Sequence, residues 1–261
     1  MATPPATAAR FDGRVQDYAR FRPGYPPGLL DWVHGELGVP PAARVADIGA
    51  GTGLSSRPFL EAGHPVVAVE PNAAMRAVAE RDLAGFPGFS AVDGRAEATT
   101  LPAASVDLVA CGQAFHWFDP AAVRREWARI LRPDGLALVF WNTPLFDSPF
   151  MGGYERLLLT YGTDYTAVAE RHPDDATMRA WYGAGWRGAC RLRNDQPMDF
   201  EALRGRLLSS SFAPRAGHPA HAPMLAALRE LFDAHAGGDG RIMFEHVTRA
   251  FAGTLPPPRS P

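Results

Sequence analysis

The sequence predicts a doubly wound α/β fold, and three observations predict it. Short β-branched and apolar runs alternate with segments of helical spacing through the first half of the chain, as parallel strands joined by helices require. A glycine-rich turn, Gly49-Ala50-Gly51-Thr52-Gly53, follows the first of these runs, and a carboxylate, Glu70, ends the second. In a parallel βαβ unit those two features meet at the carboxyl ends of neighbouring strands, the edge where such sheets bind ligands.

The elements follow in order. Residues 29–37 have helical patterning, 44–48 read as a buried strand, 54–62 as a helix and 65–70 as a second strand. A helix over 73–82 precedes a strand over 89–93, and a strand over 106–111 precedes a helix over 120–131. The spacing of Ala121, Val123, Trp127 and Ile130 puts Trp127 in the core. A strand over 136–141 completes five β segments. Beyond it, 150–161 is helical, 183–193 and 241–251 read as strands, and two helices, 200–208 and 224–235, lie between them. Four segments result: an N-terminal arm (1–10), a core with an N-terminal cap (11–142), the end of the sheet with cap helices (143–255), and a Pro-rich tail (256–261). Arm and tail are expected to be disordered.

The glycine spacing selects the ligand. A dinucleotide turn needs G-x-G-x-x-G; here the pattern is G-x-G-x-G, with Leu54 where the third glycine of that motif would stand. Asp47, just before the turn, would repel a pyrophosphate and attract an α-amino group. Glu70 can accept hydrogen bonds from two ribose hydroxyls. The ligand therefore carries a ribose and an amino acid, as S-adenosylmethionine does. Segment 45–53 with 66–72, including Pro71, resembles the first motif and acidic strand end of class I S-adenosylmethionine-dependent methyltransferases.

The resemblance continues through Asp93-Gly94-Arg95-Ala96-Glu97, Ser105-Val106-Asp107-Leu108-Val109 and Gln113-Ala114-Phe115-His116-Trp117 to Leu131-Arg132-Pro133-Asp134-Gly135. In the last turn Asp134 replaces a glycine, and Asp tolerates turn conformations. Tyr18-Ala19-Arg20-Phe21-Arg22-Pro23-Gly24-Tyr25-Pro26 resembles the cap of a small-molecule subgroup that includes trans-aconitate methyltransferase relatives. The resemblance implies a Rossmann-like seven-stranded methyltransferase sheet, its last two strands an antiparallel edge, with a C-terminal helical substrate-cap insertion. It also implies S-adenosylmethionine as cofactor, S-adenosylhomocysteine as product, and cofactor contacts at Tyr18, Arg22, Asp47, Gly49, Gly51, Gly53, Glu70, Pro71, Asp93, Ala96, Glu97 and Gln113. Asp93, Ala96 and Glu97 would border the adenine; Gln113 would lie near the methionine moiety. Tyr18 and Arg22 would cap the cofactor, Arg22 pairing with its carboxylate; equally, both would belong to an N-terminal helix that packs on the core through a surface ion pair.

Composition sets bounds. At 261 residues the chain can hold one sizeable α/β domain with a cap. No apolar run would span a bilayer, and the Ala/Thr/Pro-rich start lacks the apolar stretch of a secretion signal. Two cysteines, Cys111 and Cys190, make no disulfide framework, so a cytoplasmic location is the default. All 26 basic side chains are arginine, against 28 acidic ones, for a net charge of -2. That balance disfavours a nucleic-acid partner, as does Gln113-Ala114-Phe115-His116 where base-methylating relatives carry [NDS]-P-P-[FYW]. The dispersed histidines have no metal-ligand spacing, so no metal is expected. The expected partner is a small-molecule substrate, with the chain a monomer or homodimer.

Methyl transfer from a sulfonium is an in-line displacement, driven largely by positioning. A carboxylate acceptor needs no base, whereas a phenol, enol or hydroxyl benefits from one. His116 is the candidate base; its alternative role is a structural hydrogen bond holding its loop. Ser209-Ser210-Ser211-Phe212 is either pocket lining or a polar helix end. The expected function is methylation of a small molecule at oxygen. A non-catalytic cofactor-binding protein and, against the glycine spacing, a nicotinamide-dependent oxidoreductase are the alternatives.

Overall fold

In the computed structural model, residues 20–255 are described; the expectations for Tyr18, the arm and the tail lie outside them. The chain runs α1 (Gly28–Gly35), β1 (Val45–Ile48), α2 (Ser56–Glu61), β2 (Val66–Val69), α3 (Ala73–Asp82), β3 (Phe89–Val92), β4 (Val106–Gly112), α4 (Pro120–Ile130) and β5 (Leu131–Pro144). Then follow α5 (Pro149–Tyr161), α6 (Tyr165–Ala169), α7 (Asp175–Tyr182), β6 (Trp186–Arg193), β7 (Gln196–Met198), α8 (Phe200–Leu208), α9 (His221–His235), β8 (Ile242–Phe244) and β9 (His246–Thr254). Seven strands make one sheet, ordered β3-β2-β1-β4-β5-β9-β6. The first five are parallel, and β9 runs antiparallel between β5 and β6. The strand order reverses between β1 and β4, which opens a crevice at their carboxyl ends.

The two-residue period of each strand feeds two cores. Ile48, Val69, Val109, Cys111, Val139 and Trp141 pack under α4 and α7 through Trp127, Met178 and Tyr182. Val45, Val66, Leu108, Ala110, Leu138 and Phe140 pack under α1 and α2 through Leu29, Trp32, Val33 and Phe59. Helices therefore cover both faces, and Trp127 is fully buried. Side-chain caps set where helices begin: Asn72 Oδ1 accepts from the N–H groups of Ala74 and Met75, and Asp119 does the same for Ala121 and Ala122 ahead of Pro120. Asp134 takes the left-handed conformation, φ 65°, in the turn into the long part of β5.

A third core joins α5, α8, α9 and the pair β7–β8 through Tyr154, Leu158, Leu203, Leu228 and Phe244. This cap region departs most from expectation. The run 241–251 is not one strand. Ile242 and Phe244 face the cap core in β8, whereas β9 enters the main sheet. One β-like run thus serves two sheets, a split that strand propensity alone does not mark. Helices α6 and α7 and strand β7 were not expected; they are short, and α6 and β7 have too few residues to show a period. No helix among the described residues is long and apolar enough to cross a membrane.

Candidate functional site

The crevice is built first from backbone. Gly49, Gly51 and Gly53 all have positive φ, 69°, 58° and 84°. A Cβ on Gly49 would stand 2.8 Å from Ala114 Cβ, and one on Gly53 2.6 Å from Leu83 Cδ1, so these two let the turn nestle against its neighbours. Gly51 differs: the nearest atom to its Cβ position is Met75 Sδ at 3.8 Å, so this glycine faces space. Its N–H donates to Glu70 Oε2 at 2.9 Å, and the N–H of Asn72 donates to Oε1 at 2.8 Å. A carboxylate has about four acceptor positions, so each Glu70 oxygen keeps one. Burial pushes the Glu70 pKa up, against the pull of those two N–H groups.

Asp47 sits at the end of β1, fully buried. Its Oδ2 accepts from Ser55 Oγ at 2.7 Å and Ser56 Oγ at 2.6 Å, while Oδ1 has no hydrogen-bond partner among the described residues. Burial raises its pKa to about 6; the serine hydroxyls oppose the rise and the Glu70 charge adds to it.

The remaining expected residues divide. Arg22 and Gln113 join Gly49, Ala50, Leu54 and Ser55 around a narrow cleft against the glycine turn. Gln113 has φ 61° and donates from Nε2 to the Asn142 carbonyl at 3.1 Å. Arg22 Nη2 reaches the Ser209 carbonyl at 3.3 Å and Ser210 Oγ at 3.4 Å. Pro71 is exposed, and exposed Asp93 lies 3.5 Å from Arg76. The carbonyl of buried Ala96 accepts from Trp127 Nε1, and Glu97 Oε1 accepts from the Asp119 N–H. Pro71, Asp93, Ala96 and Glu97 follow β2 and β3 and do not line the narrow cleft.

Arg22 and Gln113 also form one wall of a larger cavity of about 390 Å³. Its other walls come from the turn holding His116 and Trp117, from Asn142 and Arg249 of β5 and β9, and from the cap residues Tyr154, Arg206, Ser210, Ser211 and Phe212. Ser210, Ser211 and Phe212 are thus lining; Ser209 is buried against the Arg206 carbonyl. Three arginines and three histidines face the cavity and, among the described residues, no carboxylate does. Buried Arg206 donates to the Phe21 carbonyl, to Gln196 Oε1 at 2.6 Å and to His246 Nε2 at 3.2 Å. Arg249 pairs with Asp175 at 2.7 Å, and its Nε has no hydrogen-bond partner among the described residues.

Burial first, and nearby arginines after it, lower the pKa of all three imidazoles. Burial and then Arg206 and Arg22 push His246 down to about 3. Packing of the ring, with Arg249 and Arg22, brings His172 at the rim to about 4. His116 is pushed well below its usual range by burial, then by His172, Arg171 and Arg22. Its ring lies 4.1 Å from that of His172, and its Nδ1 accepts from Trp141 Nε1 at 3.3 Å.

Sequence reasoning missed Trp141, Asn142, His172, Arg206, His246 and Arg249 as site residues. Only Arg206 left a signal: it shares a helical face with Leu203 and Leu207, where an apolar residue is the norm.

The comparisons agree with the geometry. Residues 46–139 match a family described as a methyltransferase domain. An uncharacterized methyltransferase of Mycobacterium tuberculosis is 44% identical over 134 residues, 51% of this chain and 52% of the relative. The chain thus spans about half the length of this curated relative. A demethylmenaquinone methyltransferase of Beutenbergia cavernae is 32% identical over 174 residues, covering 58% of this chain and 69% of the relative. Over most of its length the fold resembles a putative type II methyltransferase from Anaeromyxobacter dehalogenans, with a TM-score of 0.65, 25% identity, and 91% and 100% of the two chains covered. With its sheet order, its glycine turn and its acidic strand end, the chain belongs to the class I S-adenosylmethionine-dependent methyltransferases.

Proposed function

We propose that the protein methylates an oxygen of a small, negatively charged molecule, a carboxylate or an ionised hydroxyl. One observation carries this reading: the 390 Å³ cavity presents guanidinium groups and no described carboxylate, and it shares Arg22 and Gln113 with the cleft against the glycine turn. A cationic, partly enclosed wall favours an anion by charge and by bidentate hydrogen bonding. The resemblance of residues 18–26 to the trans-aconitate methyltransferase subgroup supports the same acceptor class.

The residues fit the cofactor. Gly51 faces space, Glu70 has acceptor positions to spare, and Asp47 Oδ1 lacks a partner among the described residues. In this reading Glu70 holds the ribose hydroxyls and Asp47 attracts the amino group. Arg22 and Gln113 border the methionine end, and Pro71, Asp93, Ala96 and Glu97 the adenosine end. When bound, S-adenosylmethionine supplies a methyl group on a positively charged sulfur. The chain's own part is to align the acceptor with that methyl, exclude water, and hold the acceptor charged.

The test is transfer of labelled methyl from S-adenosylmethionine to a panel of carboxylates, phenols, alcohols and amines. Label in esters or ethers supports the reading. Label confined to amines or carbon contradicts it, and tight cofactor binding with no transfer would favour the non-catalytic alternative.

A further inference from the structure

Trp141 and His116 meet in a way that fixes the chemistry of the imidazole. An indole N–H only donates, and that of Trp141 donates to His116 Nδ1 at 3.3 Å. Nδ1 therefore uses its lone pair on Trp141 and carries no proton, so the neutral ring must carry its proton on Nε2. The surroundings oppose the doubly protonated form. Trp141 is 1% exposed, Arg171 and His172 approach from the segment after α6, and Arg22 approaches from the segment before α1. Among the described residues, the charged and titratable groups that act on this ring are His172, Arg171 and Arg22. His116 lines the acceptor cavity, beside Trp117 at 4.6 Å between ring centres.

We propose that Trp141 locks His116 as the Nε2–H tautomer, making His116 a hydrogen-bond donor to the methyl acceptor and not a base. Trp141 is the positioning residue in this pair. The inference rests on the cavity being the acceptor site. It narrows the acceptor to a group that arrives already ionised, because nothing about His116 can take its proton while the Trp141 bond stands. A carboxylate suits the donor well: one oxygen accepts from Nε2–H and the other attacks. In that step the attacking oxygen forms the new O–CH3 bond, the C–S bond breaks, and its electron pair stays on sulfur. The positive charge of the sulfonium and the negative charge of the acceptor cancel, and no proton is released.

Two measurements on the whole chain decide it. The first is long-range 1H–15N correlation with labelled histidine, the His116 signals being assigned by their loss in His116→Gln. The expected pattern is an unprotonated Nδ1 and a protonated Nε2 in the parent protein, relaxing toward a tautomer mixture in Trp141→Phe. A protonated Nδ1 in the parent protein overturns the proposal, whether or not an acceptor is known. The second is kinetic, since a Gln side chain offers an N–H near the Nε2 position but no basic lone pair. His116→Ala should lower kcat/KM roughly 100-fold, while His116→Gln should stay within about tenfold of the parent. A Gln variant as impaired as Ala, with cofactor affinity intact, would mean a base and overturn it; an Ala variant with full activity would also overturn it. Failure of the parent protein to bind S-adenosylmethionine would strike the proposed function instead, leaving the tautomer pattern to decide this proposal.

Discussion

The glycine turn and the arginine-lined cavity share Arg22 and Gln113 but are built by opposite means. The turn draws on about 25 consecutive residues, 47–72, and works through backbone: three positive φ angles, two close approaches and two N–H groups on Glu70. The cavity draws on residues from Arg22 to Arg249 and works through side chains that only the tertiary fold brings together. A backbone-built site tolerates little change at a few positions, because its geometry has no rotamers to relax. A side-chain-built site loses affinity for one ligand and keeps its shape, which lets one fold host many acceptors.

The contrast can be broken at its strongest point by Gly49→Val. A side chain at φ 69° whose Cβ would lie 2.8 Å from Ala114 pays both a left-handed backbone and an overpacking cost. Those are about 1–2 kcal/mol and about 1–3 kcal/mol respectively. We expect cofactor binding to vanish in calorimetry and the melting temperature to fall by several degrees. Gly51→Ala, which faces space, should cost only the backbone part.

Glu70→Ala comes next. Hydrogen bonds to a charged group contribute about 1.5–3 kcal/mol each, so S-adenosylmethionine affinity should fall roughly 100-fold. An affinity within threefold of the parent would remove Glu70 from the cofactor site.

On the cavity side, Arg206→Met keeps much of the side-chain length and removes the charge. The acceptor KM should rise about tenfold or more, the range for loss of a buried charged partner, while cofactor affinity stays at the parent value. A matched fall in both would show that the two regions are one unit.

The smallest effect is a pH dependence. Asp47, with a folded pKa of about 6 against 3.8 unfolded, binds its proton more tightly when folded. Its burial therefore costs stability in full above about pH 6, and the cost is relieved as pH falls from there toward 3.8. At about 1.4 kcal/mol per pH unit the full cost is about 3 kcal/mol. Asp47→Asn should raise the stability of the cofactor-free protein at pH 8 in urea titrations. An ammonium ligand needs the ionised form, so cofactor affinity should weaken up to about tenfold between pH 7 and pH 5 in the parent. Asp47→Asn should flatten that slope.

The same contrast explains what could be read from the sequence. The five parallel strands and the glycine turn were legible because local period and local turn chemistry determine them. Gly49, Gly51, Gly53 and Glu70 sit where their spacing put them. The cavity was not. His246 and Arg249 lie in a run read as one strand, which the structure divides between β8 in the cap and β9 in the main sheet. Their partners, Arg206 and Asp175, are 40 and 74 positions away. His116 was legible as a residue of interest, as a base or as the holder of a structural hydrogen bond, but its partner was not, because Trp141 lies 25 positions on, in the strand next to β4. Local pattern records which residues face a core; it does not record which distant side chain will share a proton with which.

The central claim is that the crevice holds a cofactor site built from backbone beside a separately built anion cavity. Titration calorimetry of S-adenosylmethionine and S-adenosylhomocysteine against the parent protein, Glu70→Ala and Arg206→Met tests it most directly. The account predicts binding by the parent, roughly 100-fold weaker binding by Glu70→Ala, and parent-like binding by Arg206→Met. No binding by well-folded parent protein, or equal weakening in both variants, would contradict it.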